Sequence, residues 1–93
     1  MAAWIETASG NLLNTASLSH IVVKESTPGG TWEVTAGTDS KSAPFATGLD
    51  GRPAARAVRN ALAVAISTAC TADAVQMICF EEITGTVRTA ELV

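Results

Sequence analysis

RPAARAVRNALAVAISTA, residues 52 to 69, is the stretch that decides the fold, because it is the chain's one long segment with helical periodicity. Val58, Leu62, Ala65, Ile66 and Ala69 recur at i, i+4, i+7, i+8 and i+11, which lines an apolar face for a sheet to cover. The preceding Gly48-Leu49-Asp50-Gly51 breaks the extended pattern. It offers Asp50 as an N-cap, with Pro53 in the first turn, where a missing N–H costs nothing. At about 100° per residue, Arg52, Arg56, Arg59, Asn60, Ser67 and Cys70 share a narrow polar wedge. Ala54, Ala57, Ala61 and Val64 fill the remaining arc, so the apolar surface is wider than a one-sided helix needs. Such a helix is expected to be touched on two sides, by its own sheet and by another element or subunit.

Upstream, the sequence predicts short strands separated by turns. Trp4 to Ala8 is rich in strand formers, and Ser9-Gly10-Asn11 with Leu12-Leu13 completes a first hairpin. His20 to Glu25 and Thr31 to Ala36 flank Thr27-Pro28-Gly29-Gly30, where proline presets φ and glycine accepts a positive one. Strict alternation in the second arm puts Trp32, Val34 and Ala36 on one face and Thr31, Glu33 and Thr35 on the other. Ala43 to Thr47 reads as a further short strand, and Pro44 suits it to a sheet edge.

Downstream, residues 75 to 80 are apolar apart from Gln76 and can be drawn two ways. Val75, Ile78, Cys79 and Ile83 fit a helix face; Val75, Met77 and Cys79 fit one face of a buried strand. The short run and the following Thr84-Gly85-Thr86 favour a strand, a turn and a last short strand. The expected fold is therefore α+β: one domain over residues 1–93, with an antiparallel meander of four to six short strands and one long helix packed on a face.

Charge is unevenly distributed. Three of the six basic side chains are Arg52, Arg56 and Arg59; the other three (Lys24, Lys41, Arg88) stand against nine acidic groups. A chain of net charge −3 thus divides into a basic stripe and a body of about −6. Charged residues make up 16% of the chain, below the usual quarter, which suggests a surface partly covered by a partner, in so short a chain most naturally a second copy. The aromatics are few (Trp4, Trp32, Phe45 and Phe80), and most are expected inside.

Several function classes find no support. No apolar run approaches the ~18 residues that span a bilayer. The first residues lack the basic start and apolar stretch of a signal peptide, so a cytoplasmic location is expected, with Cys70 and Cys79 as reduced, core-type thiols. These two cysteines and the single His20 do not make a metal site, and neither cysteine lies in a C-x-x-C motif. His20 has no orienting acid nearby in sequence, and Glu81 and Glu82 would diverge on a strand. The glycines form no phosphate-loop pattern, no cofactor is implied, and an acidic chain with no aromatic beside its arginines disfavours nucleic acid.

What remains is the arginine stripe. Guanidinium forks suit carboxylate or phosphate, and at a helix N-terminus they stand against the macrodipole, so an anion there would gain from both the arginines and the helix N–H groups. The alternatives are a solvated face or pairing with Glu81, Glu82 or a neighbouring subunit's acids. The leading expectation is a non-enzymatic regulatory or accessory protein that self-associates as a homodimer or binds another protein, with Arg52, Arg56, Arg59 and Asn60 marking the contact. A binder of a small anionic or phosphorylated ligand through the same residues is the alternative, and a virion or shell component is a third.

Overall fold

The computed structural model describes residues 3–72 and 74–91. Seven strands and one helix follow in the order β1 (Ala3–Glu6), β2 (Leu12–Asn14), β3 (His20–Glu25), β4 (Trp32–Gly37), β5 (Ser42–Leu49), α1 (Arg52–Cys70), β6 (Gln76–Glu81) and β7 (Thr86–Glu91), with a single 3-10 turn at Thr15–Ser17. The class is α+β, as the sequence predicts. The strands number seven rather than four to six, and they divide into two sheets, ordered β2-β1-β6-β7 and β3-β4-β5.

Both expected hairpins form. Ile5 pairs with Leu13 in the first; His20 to Glu25 pairs with Trp32 to Gly37 in the second. Gly29 closes the second with φ of 74°, a conformation that costs an L side chain energy and glycine nothing. Residues 76–81 are a strand, and the Gly85 N–H donates to the Glu81 carbonyl at 2.8 Å to start the turn into β7. The inward face of β6, however, is that of Ile78 rather than the one carrying Val75, Met77 and Cys79. Ile78 is paired in parallel with Ile5, and both are fully buried.

This parallel β1–β6 pair departs from a simple meander. The chain leaves β1, builds the whole second sheet and the helix, and returns beside the strand it started from. The apolar run of β6 suits that central position, between β1 and β7.

The two sheets meet where the Ala8 N–H donates to the Pro44 carbonyl at 2.8 Å and the Phe45 and Phe80 rings stand 6.1 Å apart at 60°. Pro44 does lie on an edge strand, and the outer side of β5 is used for this junction. The alternation expected in β4 holds only in part. Val34 and Ala36 are buried, but so is Thr35, on the opposite face, because β4 is the middle strand of its sheet and its register with β5 shifts on both sides of Val34.

Helix α1 packs over both sheets, its core-facing Ala55, Val58, Leu62 and Ala69 meeting Ala3, Ile5, Val34, Phe45, Ala46 and Ile78. Ala65 and Ile66 flank this seam half-buried. Of the four aromatics only Phe45 is fully buried; Trp4, Trp32 and Phe80 are half-buried, since a domain this small leaves large rings partly at its surface. The N-cap is Gly51, not Asp50, and no side chain caps the helix. Gly51 carries the extended backbone that an N-cap needs, which leaves Asp50 one residue too early.

Candidate functional site

The stripe expected from the sequence is present as a physical surface. Pro53 at N2 and a first turn without acid leave the helix N-terminal half with arginine as its only charge. Arg52 and Arg56 are exposed and Arg59 is half-buried. Both Nε and Nη2 of Arg59 donate to Oδ1 of Asn60, at 3.1 and 2.9 Å, which holds that fork back along the helix. Arg52 and Arg56 have no hydrogen-bond or ion-pair partner among the described residues. Pairing with Glu81 or Glu82 does not occur: Glu81 is taken by Arg88, whose Nη1 lies 3.0 Å from Oε2 in the one ion pair among the described residues.

What the arginines face could not be read from their spacing. They form one wall of a cleft of about 530 Å³ whose other wall is Ile21, Val22, Val23, Lys24 and Glu25, with Trp32 beside them. Five consecutive strand residues line a cleft only when it runs along the strand's edge, because side chains alternate between faces. That edge is the outer side of β3, which has β4 on one side and no strand on the other. A second cleft of about 460 Å³ continues it past Leu18, Ser19 and His20 toward Arg59, Asn60, Ala63 and Ile66. Helix α1 therefore runs antiparallel to β3, its first turns beside the end of the strand.

The carboxylates of β3 and β4 are already engaged. Glu25 accepts from the Gly29 N–H at 3.0 Å, and Glu33 accepts from the hydroxyls of Ser26 and Thr35. The cleft is therefore dominated by Arg52, Arg56, Arg59 and Lys24. His20, at its far end, shares a hydrogen bond with the Ser19 hydroxyl at 3.0 Å, and its ring covers Gly37 so closely that a Cβ there would meet Nε2 at 2.5 Å. Among the described residues no carboxylate is hydrogen-bonded to the imidazole, which packs against Gly37.

The opposite flank of α1 is exposed. Ala54, Ala57, Ala61, Val64 and Thr68 all face outward, Val64 with 66% of its surface open. A groove of about 950 Å³ runs beside them toward Leu49, Phe80 and Val87, with Asp50 and Glu82 at its margin. A further groove of about 470 Å³ extends it along Val64, Ala65 and Thr68 to Val87 and Thr89. The wide apolar arc of the helix is thus covered by strands only on its core-facing part.

Chemistry elsewhere is sparse. Cys70 is exposed rather than core-type, and Cys79 is half-buried. Burial pushes the Cys79 thiol up from its ordinary value; Glu6 and Glu81 push the same way and Arg88 opposes them. Among the described residues no three of His, Cys, Asp and Glu are grouped to hold a metal ion, and no helix is long and apolar enough to cross a membrane. Neither a known protein family, nor a characterised protein, nor a solved structure matches the chain.

Proposed function

We propose that this protein is a non-enzymatic interaction module of the regulatory or accessory kind, acting in the cytoplasm and self-associating through the outer flank of α1. The observation that carries the reading is the pair of grooves beside Ala54, Ala57, Ala61 and Val64, an apolar surface along one side of α1. These residues and Thr68 are spaced three, four, three and four apart, the repeat by which two helices interlock. Alanine at most of those positions permits close approach. A two-fold axis perpendicular to the helices would pair them antiparallel and set the two arginine stripes toward opposite ends, so like charges do not meet.

The test is the molar mass by light scattering across a concentration series, for the parent and for Val64→Glu. Val64 is mostly exposed in the single chain, so the substitution leaves the fold intact but buries a charge in the interface. A dimer that becomes a monomer in Val64→Glu is the expected result. A parent that stays monomeric at the highest concentration, or a variant that dimerises as the parent does, refutes the reading. The second reading, a binder of a small anion through Arg52, Arg56 and Arg59, is favoured by the unpaired forks of Arg52 and Arg56. It requires that inorganic phosphate or a nucleotide raise the melting temperature, and that Arg56→Glu abolish the rise.

A further inference from the structure

The unpaired outer edge of β3 and the arginine wall of α1 face the same cleft, and we infer that together they receive an extended acidic segment of another protein as an added strand. An edge strand presents free N–H and C=O groups, and strand addition uses them for affinity while side chains supply selectivity. Here the cleft follows β3 from Ile21 to Glu25 and continues past Ser19 and His20, so the whole six-residue strand is open along one side. At ~3.3 Å per residue that is about 20 Å of edge, the length of a short peptide and far more than one phosphate occupies.

The spacing of the charges points the same way. Arg52, Arg56 and Arg59 rise by about 6 and 4.5 Å along the helix axis at ~1.5 Å per residue. Alternate side chains of an extended chain recur about every 6.6 Å, so acids at i and i+2 meet successive arginines, whereas a single phosphate cannot bridge the first to the last. Lys24 adds a fourth positive group, and Glu25, the only carboxylate lining the cleft among the described residues, is held by the Gly29 N–H. Ile21 and Val23 are half-buried and Val22 is 42% exposed, which gives the added strand apolar contacts between its acids.

A second copy of β3 is a poor occupant. Pairing two β3 edges about a two-fold axis would gather six arginines and two lysines around one seam, with two glutamates to offset them. The inference stands independently of self-association, which uses the opposite flank.

The experiment titrates the full chain with a seven-residue peptide alternating glutamate and valine, followed by two-dimensional amide NMR. Three comparisons accompany it: the same peptide with glutamine for glutamate, the acidic peptide N-methylated at alternate backbone nitrogens, and inorganic phosphate. The expected result is saturable binding with shifts concentrated in residues 20–25 and in the first two turns of α1. Affinity should fall at least about tenfold for the glutamine peptide and for Arg56→Glu, the loss of a charge-assisted hydrogen-bonded pair. It should also fall sharply on N-methylation of the edge that meets β3, each of the two alternate methylation patterns being tried. Arg52→Gln, an exposed position, repeats the test should Arg56→Glu perturb the fold. No binding by the acidic peptide, equal binding by both methylated forms or by the glutamine peptide, saturation by phosphate with the same shifts, or shifts confined to the alanine flank each overturn the inference.

Discussion

Replacing Leu62 by alanine removes three carbons from the point where α1 meets both sheets. Leu62 has no solvent exposure, and its neighbours Val34, Phe45 and Ile78 are nearly or fully buried. At about 0.8 kcal/mol per buried carbon the transfer cost is about 2.4 kcal/mol, and incomplete collapse of the cavity raises it to about 3–4 kcal/mol. A domain of this length is stable by about 5–14 kcal/mol, so the variant loses a large share of its stability, and its Tm falls by about 12–30 °C. Val64→Ala is the internal control. Two positions away but 66% exposed, it gives up only about 0.5 kcal/mol of burial in the single chain, which the better helix propensity of alanine offsets. Urea titrations followed by the fluorescence of Trp4 and Trp32, at the lowest practical protein concentration, measure both. A cost below about 1 kcal/mol at Leu62, with a larger one at Val64, would mean that the helix presents the other face to the sheets, and would refute the packing described above.

The uncapped helix start makes a stabilising substitution available. Gly51 has φ of 173°, extended backbone that any residue adopts, and a Cβ there would lie 3.7 Å from the Pro53 ring. Gly51→Ser should therefore gain about 0.5 kcal/mol from a new cap and a stiffer unfolded chain, read as a Tm higher by about 2–4 °C; an unchanged or lower Tm would contradict the cap assignment. The two cysteines should differ in reactivity. Exposed Cys70 should be alkylated well before Cys79, whose thiol is kept protonated by burial and by Glu6, and mass spectrometry of partly labelled protein resolves the order. Because the folded state holds the Cys79 proton more tightly than the unfolded one, this group's contribution to stability is full below the ordinary thiol value. It is lost as pH rises from that value through the raised value of the folded state. Arg88→Gln should push the Cys79 thiol higher still, seen as a later rise in thiolate absorbance on titration.

The local elements were legible from the residues alone because each rests on short-range physics. The helix of residues 52–70 follows from 3.6-residue periodicity and from Pro53 near its start; the hairpins at residues 3–14 and 20–37 follow from alternation interrupted by glycine and proline turns. The location of the arginine stripe is a matter of spacing on one helix and was readable in the same way. Asp50 misled because capping depends on the backbone of a single residue, and side-chain preference, which favours Asp50 over Gly51, does not register that backbone. Cys70 misled because residue type says where cysteines usually sit, whereas the helix phase places this one on the outside.

The relations between elements needed the folded chain. Periodicity cannot say that β6 returns beside β1 in parallel, since strand order is settled by which apolar faces bury one another best over long sequence separations. It cannot say that β3 ends a sheet, or that its free edge lies opposite Arg52 and Arg56. Those two facts turn three ordinary surface arginines into one wall of a cleft. Composition and pattern told where the charge would be; only the packing of α1 across two sheets decided what that charge would face.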